Sequence, residues 1–568
     1  MPSMYVPDSY GRNLYRIDPQ YERLLKLYLP QDLFGHLQPH LERLGGLAGG
    51  RLDDLAGTAD RNPPTLRQRT RNGGDIQSIE KHPAYEELER FAYSEYGLAA
   101  MSHRGGVLGW PRPMPPAAKY ALTFLFVQAE FGLCCPVSMT DSLTRTLRKF
   151  GTPELLDQCI PALTSLDMDE LTQGAMFITE HGAGSDVGAS LTTARQAGDG
   201  TWLLDGDKWF CSNPDAGFAM VLARPAGAVA GTKGLALFLL PKHLPDGTPN
   251  RFHILRLKDK LGSRSMASGE IRLESATAYL VGDLGRGFVQ MTDMINSSRL
   301  SNGVRAAGLM RRGLNEALFV ARERLAFGRR LVDLPLMQRQ LVKMMVWTEQ
   351  ARTMMFQTAA ALESADAGDD SGRGLIRIMT PLIKFRACRD ARKVTGDAME
   401  VRGGCGYVEE WAEARLVRDA HLGSIWEGTS NIVALDVLRS IRKSDTVTKL
   451  SAHWQGQLDE SDLPAALRAR FDVTLGRVAD LASWAAASSR EELARQAATS
   501  LYDATTAVAM AWEAQRSGDA RRLLLADLVL RHRLSARDPL APEPDPSAPF
   551  DRLLSEEPMT RGEIPALN

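Results

Sequence analysis

Hydrophobic positions along this 568-residue chain change their spacing twice. Up to about Asp169 the pattern is mainly helix and loop. Tyr85–Tyr96 and Ala118–Phe131 have helical length and helix-forming residues. The stretches RNPPTLRQRTRNGGD and RGGVLGWPRPMPP between them predict loops by their Gly and Pro content. Near Ala175 the texture shortens. AMFIT, TWLLDG, DKWFCS, AMVLARP, GLALFLLP and EIRLE are brief apolar or aromatic runs between polar or glycine turns. The Asp205–Gly206 pair between two of them predicts a hairpin, since Gly tolerates positive φ. From Ala175 to about Asp283 the pattern predicts an antiparallel domain, a small barrel or sandwich.

Helical spacing returns after Gly287. Phe288–Phe327, Leu336–Ala367 and Leu375–Val401 predict long amphipathic helices, with ADAGDDSGRG (365–374) as a polar break. A further helical stretch runs from about Ala465 to Arg533, and the Pro-rich acidic end predicts an extended or disordered tail. The expected organisation is an N-terminal helical domain (1–174), a β domain (175–283), a helical bundle (284–445), an extra helical domain (446–537) and a tail (538–568). The fold class is therefore mostly α with a central β domain.

Composition narrows the function. Hydrophobic residues make up 44% and charged residues 24%, ordinary values for a soluble globular protein. A net charge of -1 gives no whole-protein attraction to nucleic acid or an anionic membrane. Residues 446–537 hold 12 Lys/Arg and 11 Asp/Glu, a difference of +1 and a poor footprint for DNA. One local cluster, Arg516, Arg521, Arg522, Arg531, Arg533 and Arg537, is read as a solvated helix face in preference to a DNA site. The tail after it carries seven acidic residues and two Arg, enough to mask it. None of the six cysteines forms a CxxC pair, and Cys134–Cys135 reads as two small buried residues, which suits a reducing cytoplasm. No signal peptide or membrane-spanning run is expected, nor any metal site.

Four segments carry candidate chemistry. Phe177-Ile178-Thr179-Glu180-His181-Gly182-Ala183-Gly184-Ser185-Asp186 leaves a strand for a glycine turn that either binds a phosphate or is simply tight. It is not a GxGxxG motif within a βαβ unit, which argues against a Rossmann site. Trp209-Phe210-Cys211-Ser212-Asn213 either borders a flat heterocycle or ends a core strand. Arg324-Leu325-Ala326-Phe327-Gly328, with Gln338 downstream, either grips a nucleotide or caps a helix. Gly403-Gly404-Cys405-Gly406-Tyr407 precedes Ile425-Trp426-Glu427-Gly428-Thr429-Ser430-Asn431. There Glu427, beside apolar neighbours, is either a general base or part of a helix start capped by Thr429 or Ser430.

Taken in order, these segments resemble the signature set of the acyl-CoA dehydrogenase family, over about Ala118 to Arg439. His82-Pro83-Ala84-Tyr85, Leu257–Ser265, Ala398-Met399-Glu400-Val401 and Leu435-Asp436-Val437-Leu438-Arg439 look closest to its AidB-like branch, which also carries an extra C-terminal helical domain. The resemblance implies FAD as cofactor and a C-terminal four-helix bundle. It places Phe177, Ile178, Thr179, Gly184, Ser185, Phe210 and Ser212 at the flavin. Arg324, Phe327 and Gln338 match residues that reach FAD across a subunit boundary, which implies a homotetramer. Glu400, Gly404, Thr429 and Asn431 match further cofactor positions. Arg299 and Trp426 fall among substrate positions, and Glu427 on the base. Family members that place the base on an earlier helix have it where this chain has Ser298, which cannot serve. Nitroalkane-oxidising relatives use Asp, not Glu.

Three departures stand out: Glu400 replaces a common Gln, Trp426 replaces a common Tyr, and the spacing from Phe327 to Gln338 is longer than in shorter-chain members. The implied reaction is α,β-dehydrogenation of an acyl-CoA or an acyl-carrier thioester. Glu427 takes the α proton, hydride goes to flavin N5, and electrons pass on to an electron-transferring flavoprotein. The alternatives are an AidB-like flavoprotein of the DNA alkylation response that binds DNA, or a flavin scaffold with little turnover.

Overall fold

The structure, a computed structural model, describes residues 6–487, 490–541, 550–555 and 557–564. The chain forms two compact units: Arg51–Pro115 with Ala129–Ser298, and the chain up to Gly50 with Pro116–Gln128 and everything from Arg299 onward.

The first unit contains a seven-stranded sheet: β1 (Gly174–Phe177), β2 (Thr193–Gln196), β3 (Trp202–Ser212), β4 (Phe218–Pro225), β5 (Ala236–Pro241), β6 (Phe252–Leu257) and β7 (Ser268–Val281). Strand β4 pairs with β2, β2 with β3, β3 with β7 and β7 with β5, and a β4–β5 pairing closes the ring into a barrel. Phe177, Trp202, Leu204, Val221, Phe238 and Ile271 fill it, with Trp202 and Phe238 ring centroids 5.3 Å apart. Each large side chain so buried contributes about 1.5–3 kcal/mol.

Two expectations change here. The sheet is not purely antiparallel: β1–β4 and β2–β4 are parallel, because the chain between them is long enough to cross over. Asp205–Gly206 does not turn a hairpin but lies within the continuous strand β3. The register slips there, and Asp205 Oδ1 accepts the Ser275 amide at 2.6 Å, so the side chain does at a bulge what a turn would have done. The hairpin lies instead in the expected loop at 61–75, whose Asn72-Gly73 joins strands Thr65–Arg69 and Asp75–Glu80.

The second unit is helical: α1 (Pro19–Tyr28), α2 (Gln31–Ala48), α3 (Pro116–Phe126), the later part of α4 (Gly287–Glu323), α5 (Pro335–Asp366), α6 (Asp370–Arg402), α7 (Ala412–Gly423), α8 (Ser430–Lys443), α9 (Thr446–Asp459), α10 (Ala465–Ala487), α11 (Ala494–Ser517) and α12 (Arg521–Arg533). The polar break after α5 is only three residues long, because Asp369 accepts from the amides of Ser371 and Gly372 and starts α6 early. Helix α4 stops at Glu323. The next residues form a tiny hairpin, Leu325–Ala326 against Arg329–Arg330, turned by Phe327 (φ 52°) and Gly328 (φ 73°). Gly328 is thus a hairpin turn, not a helix cap.

The end of this unit is tied to its start by buried charge. Asp18, before α1, pairs with Arg352 of α5 at 2.6 Å and Arg311 of α4 at 2.9 Å. Glu349 of α5 pairs with Arg352 at 2.6 Å and with Arg522 of α12 at 2.9 Å. Glu513 of α11 accepts from Arg522 at 2.6 Å, from Tyr28 at 2.7 Å and from Thr353 at 2.9 Å. The extension after 445 is therefore bound into the same core as α1.

The arginine cluster is a solvated face only in part: Arg516, Arg531 and Arg537 are exposed. Arg521 and Arg522 are buried, Arg516 pairs with Glu460 at 2.6 Å and Arg531 with Asp527 at 2.7 Å. The described tail residues from 550 onward are docked: Phe550–Leu553 is a helical turn, Ala520 donates to Met559 O at 3.0 Å and Arg521 to Glu557 O at 2.6 Å. Its most Pro-rich stretch, 542–549, lies outside the described residues. Among the described residues no helix is long and apolar enough to cross a membrane.

Candidate active site

In the barrel unit, the two candidate flavin segments lie side by side. Trp209 N donates to Thr179 O at 2.8 Å, joining the end of β3 to the segment that leaves β1. Phe177 is buried, Ile178 and Thr179 are half-buried, and Gly184 and Ser185 are exposed. Glu180 holds the turn from inside. Its carboxylate accepts from Leu191 N at 2.6 Å, Thr192 Oγ1 at 2.6 Å and the buried Lys208 Nζ at 2.7 Å. Burial pushes the Glu180 carboxyl up, but Lys208 and these donors hold it below the usual carboxylate range. Glu180→Ala leaves the Lys208 charge buried and uncompensated, an expected loss of about 3–5 kcal/mol in urea unfolding.

Gly182 and Gly184 have no left-handed φ, and a Cβ on either would meet nothing within 4 Å. Nothing in the chain requires glycine there, so the open backbone suits close approach by a ligand's phosphates. Phe210 is 58% exposed although it stands on a strand. Lys258 Nζ lies 3.4 Å from the Trp209 ring and 4.9 Å from that of Phe210, which fixes the aromatic pair. Ser212 is half-buried, and Asn213 follows at φ 56° with Nδ2 donating to Gln173 Oε1 at 2.9 Å. An exposed ring, a hydroxyl and bare amides are the donor set that an isoalloxazine and a diphosphate call for.

In the helical unit, Glu427 sits on the loop between α7 and α8 at φ 54°, followed by Gly428 at φ 97°. A left-handed non-glycine residue costs about 1–2 kcal/mol and persists only where its surroundings hold it. Arg299 Nε donates to Glu427 O at 3.0 Å, and its Nη1 pairs with Asp436 at 2.8 Å, which Arg377 Nη2 also grips at 2.8 Å. Lys384 donates to Gly428 O. Burial pushes the Lys384 ammonium down to about 8, with Arg299 adding to the effect and Cys388 and Glu427 opposing it. Arg299, expected among the substrate residues, thus holds the backbone of the Glu427 loop. Trp426 is half-buried with the Arg305 guanidinium 4.7 Å over its ring. Thr429 stands at the N-cap of α8 but makes no side-chain cap hydrogen bond, so the capping role open to it in the sequence is not used. Asn431 is exposed beside it.

Of the remaining candidates of this unit, Arg324, Phe327, Glu400 and Gly404 are exposed. Arg324 Nη1 donates to Arg402 O at 3.1 Å, which sets it against the Gly403–Gly404 turn, where a Cβ on Gly404 would meet nothing within 4 Å. Glu400 is exposed, and Gln338 is half-buried in the first turn of α5. Phe327 is 94% exposed at the tip of its hairpin. Sequence reasoning missed Lys208, Arg305, Arg377, Lys384 and Asp436. Arg377 and Lys384, seven apart on one helix, share a face, which was the available signal. The Asp436 signal was in the quoted Leu435–Arg439 segment but without a partner.

Helices, barrel and helices in this order, with a carboxylate on a strained loop, define the class, and comparison of the sequence agrees. Residues 5–170 match the adaptive response protein AidB N-terminal domain, 175–276 the acyl-CoA dehydrogenase middle domain and 285–442 the acyl-CoA dehydrogenase C-terminal domain. The chain belongs to the acyl-CoA dehydrogenase family of oxidoreductases. It is 34% identical over 409 residues to a putative acyl-CoA dehydrogenase AidB of Escherichia coli, covering 70% of this chain and 72% of that one. It is 32% identical over 437 residues to acyl-CoA dehydrogenase family member 11 of Caenorhabditis elegans, covering 75% and 70%. The crystal structure of Caenorhabditis elegans ACDH-11 in complex with C11-CoA superposes with a TM-score of 0.87 at 26% identity, over 94% of this chain and 93% of that one.

Proposed function

We propose that this protein is an FAD-dependent dehydrogenase of acyl thioesters, with Glu427 as the base that removes the α proton. The observation that carries this reading is the backbone of Glu427, held in a left-handed conformation by Arg299 and Lys384. Ile178, Thr179, Ser185, Phe210 and Ser212 would hold the flavin and its diphosphate, and Gly404, Thr429 and Asn431 match further cofactor positions of the family. FAD, when bound, supplies the acceptor for the β hydride.

The chain's own part is positional and acid–base. Arg299 and Lys384 fix the loop, Trp426 with Arg305 behind it walls the acyl group, and Glu427 accepts the proton. The C11-CoA bound by the nematode relative supports an acyl-CoA as substrate. The bare Phe327 and the exposed Arg324 support a homotetramer in which one subunit completes its neighbour's FAD site, with Gln338 at the matching family position. Electrons would pass to an electron-transferring flavoprotein, and six cysteines without a disulfide fit the cytoplasm. DNA is not proposed as a partner, since Arg521 and Arg522 are buried.

Gly184→Val tests the FAD assignment. Its side chain enters space that the chain leaves open, so melting of the flavin-free protein stays unchanged while flavin absorbance per subunit falls at least severalfold. Full flavin occupancy in the variant would contradict the placement.

A further inference from the structure

A second cavity lies wholly within the helical unit, lined by none of the residues assigned to flavin or thioester. It holds about 220 Å³ between α1, α4, α5, α12 and the docked tail. That is far more than the ~30 Å³ share of one water molecule. Asp18, Arg311, Asn315, Glu349, Arg521 and Arg522 form its floor, and all are more than nine-tenths buried. Leu554 and Ser555 of the tail contribute to its wall, anchored by Arg322 donating to Leu554 O at 2.6 Å.

The polar atoms of this cavity do not balance. Among the described residues lining it, Gln20 Nε2, Asn315 Nδ2, Arg521 Nε and Arg311 Nε are buried donors with no hydrogen bond, against a single acceptor, Asp18 Oδ1; Arg311 Nε has its ion pair with Asp18 at 2.9 Å, which leaves three donors without any partner. Five arginines line the space against three carboxylates. Arg352 and Arg522 are more than compensated by Asp18, Glu349 and Glu513, and their guanidiniums are raised above the ordinary value. Arg311 and Arg521 are not, and burial lowers both. A buried donor left unmade costs about 1–3 kcal/mol, and three around one space amount to a site built for acceptor oxygens.

We propose that this cavity binds a small oxyanion, a carboxylate or phosphate group, through Gln20, Asn315 and Arg521. The ligand brings acceptor oxygens to three waiting donors and negative charge to two under-compensated guanidiniums. It also draws the tail segment at Leu554–Ser555 onto the helices, because Arg521 donates both into this region and to the tail carbonyls of Arg552 at 3.2 Å and Glu557 at 2.6 Å. The inference is independent of the FAD reading.

The test is calorimetric titration of the full, flavin-loaded chain with inorganic phosphate and, separately, with succinate, in a buffer without either. Saturable binding near one per chain by at least one probe is expected, and the more tightly held probe identifies the oxyanion. Asn315→Leu with Gln20→Leu should weaken it about tenfold or more, while flavin content and the anion-free melting temperature stay unchanged. No saturable binding of either probe by the wild-type chain up to ~10 mM overturns the proposal whatever the variant does. Equal affinity in a folded double variant also overturns it, by placing the anion elsewhere. Should that variant fail to fold, Asn315→Asp replaces it. The added carboxylate must weaken binding, and unchanged affinity counts against the site.

Discussion

Glu427→Gln retains FAD and loses flavin reduction by acyl-CoA by about 10²–10⁴-fold, the usual contribution of a general base. The amide is nearly isosteric with the carboxylate and cannot take a proton. The backbone stays in place because Arg299 and Lys384 bind the carbonyls of Glu427 and Gly428, which the substitution leaves unchanged. A structural role for the carboxylate would instead move stability and flavin content. Stopped-flow bleaching of the flavin reads the rate, and absorbance with thermal melting reads the controls. An unchanged rate sinks the assignment of the base.

A large effect on stability in the helical unit belongs to Glu349→Ala. Glu349 lies between Arg352, Arg522 and Arg311, 4% exposed, and its loss leaves three buried cations facing Asp18 and Glu513 alone. Breaking such a network from one side costs about 3–5 kcal/mol. Burial pushes the Glu349 carboxyl up, yet Arg352, Arg522 and Arg311 together hold it down at about 2. Its folded value lies below its unfolded value of 4.5, so its stabilisation is complete above about pH 4.5 and fades as pH falls toward 2. Urea midpoints measured from pH 6 downward should converge for wild type and variant in that window. Parallel curves, or a variant as stable as wild type at pH 7, would show that the network does not hold the unit.

The order of helices, short strands and helices was legible because hydrophobic spacing changes from 3.6 to 2 and back. What was not legible depended on partners distant in sequence. Asp205–Gly206 has the local chemistry of a turn, but Ser275, seventy residues on, takes up the Asp205 carboxylate at a bulge, and β3 runs on through it. Asn72-Gly73 turns a real hairpin inside a stretch whose prolines suggested loop. The arginines of α12 read as a solvated face because helical spacing alone does not reveal Glu349 and Glu513 on other helices. For the site, residue types and spacing named the Glu427 loop and the two segments at Thr179 and Trp209. They did not reveal that Arg299 serves the loop's backbone, nor that Lys208 and Glu180 brace the turn from below. Those roles follow from close contacts between side chains that no local pattern encodes.

The central claim is that this chain oxidises acyl thioesters through bound FAD. It is tested most directly by titrating the anaerobic, FAD-saturated protein with acyl-CoAs of different chain length and branching. The account predicts loss of the oxidised flavin band with at least one of them, in step with formation of the enoyl product. Flavin that stays oxidised across the whole series, in protein that binds FAD fully, would contradict it and leave a flavoprotein without this activity.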